Sequence, residues 1–325
     1  MLSKSGPSLV RNHNGWWRVT TYKMAYKMPA ATLHEPQRNP RSYSHIAVRP
    51  LSGALGAQVS DIDLARLDDS TFAEIQQALL DHQVLSFPDQ DLTPEAQTAF
   101  ATRFGSLMHY PFATEMPDHP FLTEIRSEPD DQFNFGGGWH SDSMNFKHPP
   151  SLTMLYCRVC PEVGGDTSFT NMYLAWDSIS PGLQRLLKNM RVMSATSMGY
   201  GSSTNVGSVD FKQRISTPTK MKPEQEDEEY PHPVARVHPE TGHTALYLSA
   251  AYSARFERMT QDESLPLLKH LWESAIQPEF TCRVAWRPNT LTLWDNRCCM
   301  HYAHNDYSGA LRVMWRVLVA GDRPV

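Results

Sequence analysis

No apolar run in the sequence approaches the ~18 residues that a membrane-spanning helix needs, so membrane insertion is not expected. Cysteine is scarce and odd in number: Cys157, Cys160, Cys282, Cys298 and Cys299. Their irregular spacing argues against a secreted disulfide framework and fits a reducing, cytoplasmic setting. Cys157 and Cys160 form a C-x-x-C, but no second pair exists to close a zinc site, so they read as small buried residues. Positive charge is not in excess, with 30 Lys and Arg against 35 Asp and Glu and a net charge of −5. Bulk electrostatics therefore offer nothing to a nucleic acid. There is no internal repeat and no signal-peptide core. Acids are missing in one place: residues 1–44 carry seven Lys and Arg and only Glu35. That segment is expected to be a disordered basic leader. A transit peptide is the alternative, and Met24 or Met28 could begin a shorter chain.

What is present suits one large folded domain over 45–325. Hydrophobic residues are 40% and charged residues 20% of the chain, ordinary values for a globular protein. His45–Leu51 reads as a strand stopped by Gly53 and Gly56. Asp69 or Ser70 can cap a helix at Thr71–His82, whose Phe72, Ile75, Ala78 and Leu79 recur at helical spacing. Val84–Phe87 is a short strand ended by Pro88, and Thr93 caps a second helix closed by Gly105. Beyond residue 120 short strands dominate: Phe121–Ile125, Ser151–Val159, Thr167–Asn171, Thr244–Ser249, Thr281–Ala285, Thr290–Trp294 and Arg312–Val319. Helices are expected near Leu174–Ile179, Pro181–Asn189 and Leu265–Ala275. Residues 200–232, rich in Gly, Ser, Thr, Pro and acids, read as a long loop and a candidate lid. The pattern predicts a mainly β, α+β domain of the sandwich or jelly-roll type with flanking helices.

Two segments carry unusual chemistry. In Gly136-Gly137-Gly138-Trp139-His140-Ser141-Asp142, residues i and i+2 of an extended chain point the same way, so His140 and Asp142 can reach one divalent ion. The glycines permit close backbone approach. Downstream, Trp294–Tyr307 holds His301, with His304 as a rival third ligand. Two imidazoles and one carboxylate on one face of an ion leave positions open, which suits non-haem Fe(II). A lone H-x-D is weak among fourteen histidines. His238 and His243 flank Glu240 in an expected turn and read as surface residues or partners of a ligand. Arg312 and Arg316, four apart among Val313, Met314, Val317 and Leu318, share one face of the last strand. If that face is internal, each guanidinium requires an anion, and its fork matches a carboxylate. An exposed face carrying two arginines is the alternative.

These residues resemble the taurine dioxygenase and herbicide-degrading dioxygenase (TauD/TfdA) family. The matching stretches are WHSD at 139–142, PP at 149–150, GGDT at 164–167, WDNR at 294–297, HYA at 301–303, DY at 306–307, and Arg312 with Arg316. The similarity spans about 45–325 and looks closest to members that cleave aryloxyalkanoates, such as the phenoxypropionate dioxygenases. It implies a double-stranded β-helix, or jelly roll, with helices outside. It implies His140, Asp142 and His301 as Fe(II) ligands and catalytic centre, with 2-oxoglutarate and O2 as cosubstrates. Arg312, helped by Thr167, is implied to hold the distal carboxylate of 2-oxoglutarate, with Trp294 against the same pocket. Arg316 is implied to meet an anionic substrate group or another polar partner. Two family positions differ. Where taurine dioxygenases have a histidine after the FG turn and an asparagine four residues before the first ligand, this chain has Tyr110 beside His109, and Gly136. The sulfonate-binding set is incomplete, which argues against taurine itself.

The expected activity is hydroxylation, and through it cleavage, of a small anionic organic acid, with release of succinate and CO2. Tyr110, Phe112 and Tyr252 are candidate pocket walls, and equally good core aromatics. Neither nucleic acid nor membrane is an expected partner; a homo-oligomer, dimer or tetramer, is. A non-enzymatic cupin-like ligand-binding jelly roll and a zinc hydrolase on the same ligands are the alternatives. Asp142 argues against a halogenase, which keeps a small residue there.

Overall fold

The computed structural model describes residues 9–11, 17–19, 40–131, 136–200 and 228–325. The chain forms two units, Met1–Thr32 and Leu33–Val325. In the first, strands β1 (Leu9–Arg11) and β2 (Trp17–Val19) pair antiparallel. The rest of the expected basic leader, up to residue 39, lies outside the described residues.

The second unit is built on an eight-stranded sheet. Its strands are β3 (Ala47–Pro50), β4 (Ala57–Ser60), β5 (Val84–Phe87), β6 (Glu115–Met116), β7 (His119–Ser127), β8 (Leu152–Val159), β16 (Leu291–Asp295) and β18 (Arg312–Val319). The order is β3-β4-β5-β16-β8-β18-β7-β6. All neighbours are antiparallel except β4 and β5. A smaller antiparallel sheet runs β15 (Thr281–Val284), β9 (Thr167–Asn171), β17 (Cys299–Ala303). A third sheet orders β11 (Glu229–Pro233), β10 (Arg191–Ala195) and β14 (Ser253–Phe256), and β12 (Ala235–Val237) pairs with β13 (Thr244–Leu246).

Period-2 alternation decides what each face of the large sheet meets. Leu85, Phe87, Met154, Tyr156, Leu291, Leu293, Val317 and Val319 form a core with helices α1 (Asp69–His82) and α2 (Pro94–Thr102). Phe72, Ile75, Ala78 and Leu79 of α1 and Phe100 of α2 supply the helical side. The alternate residues, among them Leu155, Trp294, Arg312 and Arg316, open on a recess between the large and small sheets. The two arginines are therefore internal, each 5% exposed, and the alternative of an exposed face is excluded. Beyond the sheets lie helices α3 (Met172–Ser178), α4 (Pro181–Leu187), α5 (Thr196–Tyr200) and α6 (Gln261–Ala275). No helix among the described residues is long and apolar enough to cross a membrane.

Several expectations need correction. The cap of α1 is Asp68, whose carboxylate accepts from the Thr71 amide at 2.7 Å, one residue before the earlier candidate. Residues 201–227 of the expected lid lie outside the described residues, but Glu229–Pro233 is paired strand, held by β10. Strand β17, which carries His301, was not expected as a strand. Its run Cys299-Met300-His301-Tyr302 shows no clean alternation, because it is paired on one edge by β9 and clamped at His301 by His140. The core prediction is direct: Leu293→Ala empties a site with no exposure. Chemical denaturation is expected to show a loss of about 2–5 kcal/mol.

Candidate metal centre

His140 reaches the site from a glycine-rich approach. Gly136 and Gly138 have φ of +87° and +119°, conformations that L side chains rarely adopt. The His140 amide then donates to the His301 carbonyl at 3.0 Å, and the His301 amide donates back to His140 at 2.7 Å. This reciprocal pair brings the two imidazoles together, their centroids 4.1 Å apart and their planes tilted by 47°. The His140 Nδ1–H donates to the Gly138 carbonyl at 2.8 Å, so Nε2 is the nitrogen left to bind an ion. Asp142 completes a triangle: its Oδ1 lies 3.9 Å from His140 Nε2, and its Oδ2 lies 4.0 Å from His301 Nε2. One ligand atom from each residue falls within 4.8 Å of the others.

Burial alone pushes the Asp142 carboxyl up. The fields of His301, Arg316 and His140, with the Thr153 hydroxyl, override it and hold the group below its usual range. Burial and the neighbouring His140 push the His301 imidazole down to about 3, so it is neutral and available as a ligand. Such a donor set, two imidazoles and one carboxylate, fits a divalent first-row ion.

The ligands form one wall of a recess of about 450 Å³, counted with its open mouth. Ile125, Gly136, Leu155, Thr167, Trp294, Ala303, Arg312 and Arg316 supply the rest. The Arg312 Nε and Nη2 atoms are buried and have no hydrogen-bond partner among the described residues. Trp286 and Tyr307 flank its guanidinium at 5.9 Å each. An unpaired buried guanidinium is costly, and a carboxylate entering the recess would relieve it. Thr167 accepts from the Trp286 indole at 3.0 Å, which leaves its own proton to donate into the recess. The GGDT turn beside it packs on the DY stretch: a Cβ on Gly164 would stand 2.6 Å from the Asp306 carbonyl oxygen, and Gly165 donates to Asp306 Oδ1 at 2.7 Å. Two motifs separated by more than a hundred residues thus form one wall beside Arg312.

Trp294 lines the recess with its ring 4.8 Å from His301. Arg316 lies 3.9 Å from Asp142 Oδ1 and 4.0 Å from the Tyr110 ring centroid. Tyr110 meets the site through that contact, and Phe112 packs on Tyr110 edge to face. Neither lines the recess, nor does Tyr252, whose carbonyl accepts from Ala195. All three are buried core aromatics with respect to this recess. The wall residues Ile125, Leu155, Gly136 and Ala303 were not anticipated. The alternation along β7 could have indicated the first. His109 pairs with Glu115 on the surface.

Two histidine readings also change. His304 bonds Ser168 at 2.8 Å and is not at the triangle. His238 is 1% exposed, not a surface residue. Its Nδ1 accepts from the Glu240 and Thr241 amides, so its Nε2 carries a proton and donates to Asp295 Oδ2 at 3.1 Å. Arg297 also clamps Asp295, at 2.6 Å. His238, Asp295 and Cys298 cluster closely enough to suggest a second ion site, but a proton and a guanidinium already fill it. The network instead fixes the turn between β16 and β17.

With this geometry, comparison with known proteins is decisive. The sequence profile of the taurine catabolism dioxygenase TauD, TfdA family matches residues 47–318. The chain belongs to the TauD/TfdA family. An alkylsulfatase from Acinetobacter baylyi is 32% identical, with 85% of this chain and 86% of that protein aligned. An (S)-phenoxypropionate/alpha-ketoglutarate-dioxygenase from Sphingobium herbicidovorans is 30% identical over 85% of this chain and 95% of its own. A crystal structure of a taurine dioxygenase from Burkholderia xenovorans superposes with a TM-score of 0.72 at 32% identity, covering 87% of this chain and 93% of that one. The TauD/TfdA jelly roll is thereby the fold of this chain, and the non-enzymatic cupin-like alternative is set aside.

The segment after the ligands is tied down by His232, whose Nε2–H faces the Met144 and Phe146 carbonyls at 2.9 and 3.0 Å. Burial pushes its imidazole down to about 4. The unfolded chain, near pH 6.5, takes up a proton first. This contribution to stability is therefore complete above pH 6.5 and falls as the pH drops toward 4. Denaturation at several pH values is expected to show that slope in the native protein and its loss in His232→Gln, a difference of about 3 kcal/mol at pH 4.

Proposed function

We infer that the protein is an Fe(II)- and 2-oxoglutarate-dependent dioxygenase that hydroxylates a small monoanionic organic substrate. The observation that carries this reading is one recess holding both the His140, Asp142, His301 triangle and the unpaired Arg312 guanidinium. A zinc hydrolase on the same triangle would give Arg312 and Thr167 no task.

His140, Asp142 and His301 hold the iron, which with 2-oxoglutarate and O2 supplies the oxidising equivalents: one oxygen atom enters the substrate C–H bond and the other enters succinate as CO2 leaves. Arg312 and Thr167 grip the far carboxylate of 2-oxoglutarate and fix its orientation. Trp294, Leu155 and Ile125 make the neighbouring wall apolar and restrict water. Charge points to the substrate. One carboxylate, two guanidiniums, a divalent ion and a dianionic cosubstrate leave a single positive charge, which a monoanion neutralises. Arg316 is its nearest protein partner. Where the hydroxylated carbon carries an ether or ester oxygen, the product collapses to a carbonyl compound and the departing alcohol or acid. Aryloxyalkanoates and alkyl sulfate esters are such monoanions. The same reading keeps the protein cytoplasmic and homo-oligomeric, and light scattering tests the latter.

Succinate release with Fe(II) and ascorbate, over a panel of carboxylates, sulfonates and sulfate esters, is expected to rise above the substrate-free background for a monoanion and to vanish in Asp142→Ala. Arg312→Ala is expected to retain iron and to lose 2-oxoglutarate affinity by two orders of magnitude or more, in line with about 3–5 kcal/mol for a buried charge-assisted partner. Wild-type affinity in that variant contradicts the assignment.

A further inference from the structure

Asp142 is not held by the backbone alone. A chain of three buried side chains ends on its carboxylate. The Trp294 Nε1–H donates to Asn296 Oδ1 at 3.0 Å, and the Asp142 amide points at the same oxygen from 3.4 Å. The Asn296 Nδ2 donates to Thr153 Oγ1 at 2.8 Å, and the Thr153 hydroxyl donates to Asp142 Oδ2 at 2.7 Å. Trp294, Asn296 and Thr153 are 2%, 1% and 0% exposed. Ser141 Oγ adds a bond to the Asn296 carbonyl at 2.8 Å.

The direction of this chain is determined. An indole N–H can only donate, so the Asn296 atom it meets is the carbonyl oxygen. The amide nitrogen must then face Thr153. Thr153 accepts from it and has a single proton, which can go only to Asp142 Oδ2. We propose that the Trp294–Asn296–Thr153 relay keeps Asp142 a one-oxygen ligand and so guards an open coordination position. Thr153 and Asn296 are positioning residues. Resting on the function proposed above, the argument is one of counting. A six-coordinate ion with two imidazoles and one carboxylate oxygen keeps three positions, two for a chelating keto acid and one for oxygen. If Oδ2 swings in as well, the position for oxygen is filled. The relay occupies Oδ2 with a donor that cannot leave, because each member is buried and satisfied by the next.

The test compares Thr153→Val, Thr153→Ser and Asn296→Asp with the native protein. Asn296→Asp removes the donor that faces Thr153, so the Thr153 proton turns to the new carboxylate and away from Asp142. Under anaerobic conditions each protein is loaded with Fe(II) and 2-oxoglutarate, and nitric oxide is titrated as an oxygen surrogate with paramagnetic resonance detection. Thr153→Val and Asn296→Asp are expected to bind Fe(II) and 2-oxoglutarate but to weaken nitric oxide binding at least 10-fold. Thr153→Ser is expected to restore it. Cobalt(II) absorption of the metal-only proteins provides a second readout, with Thr153→Val shifted toward higher coordination and Thr153→Ser matching the native spectrum. Native nitric oxide affinity and a native cobalt spectrum in Thr153→Val overturn the relay. A native protein that binds metal without 2-oxoglutarate overturns the functional reading instead, and the cobalt comparison then decides the relay by itself.

Discussion

Two backbone hydrogen bonds between His140 and His301 hold the site together. Side-chain rotamers alone would place the imidazoles loosely. Because each histidine donates to and accepts from the other, the strand β17 and the glycine-rich approach are registered at the residues that matter, and the ring separation follows from the pairing. The remaining features serve this clamp. The small sheet supports β17 along its length, and the Asp295, Arg297 and His238 network fixes the turn through which the chain enters it. The backbone of the site is therefore fixed by the protein's own hydrogen bonds.

Charge organises the interior around that clamp. Two guanidiniums and one carboxylate share one recess. Arg316 leans toward Asp142 and onto the Tyr110 ring, and Arg312 stands between Trp286 and Tyr307 with Nε and Nη2 donors that no described residue meets. A core built for stability alone would not retain that arrangement, since apolar residues of the same volume do as well or better. The recess sacrifices stability for the capacity to take anions, as ligand sites commonly do.

Much of this was legible in the sequence, for identifiable reasons. Strand periodicity placed Arg312 and Arg316 on one face, and Thr167–Asn171 and Arg312–Val319 emerged with their observed bounds. H-x-D spacing brought His140 and Asp142 together because side chains two apart share a direction. Legibility stopped where partners are distant in the chain. His238 looked like a turn residue because Asp295, which buries it, lies far downstream. No spacing rule connects Thr153 with Asn296, although they touch at 2.8 Å. Tyr252 was an aromatic of the right type, but its carbonyl pairs with Ala195 at the end of β10 and the residue is not among those lining the recess, which only tertiary packing reveals. The family resemblance supplied the roles of Thr167 and Trp294, which residue chemistry alone would have left as ordinary strand positions.

The clamp has a consequence for biosynthesis. His140 and Asp142 leave the ribosome long before His301, and the arginines of β18 emerge later still. A nascent chain that has released only His140 and Asp142 presents two of the three groups of the triangle, and two donors hold a divalent ion less firmly than three. His301 arrives together with the strand that closes the backbone pairing. Assembly of the His140, Asp142 and His301 triangle is thus a property of the finished fold.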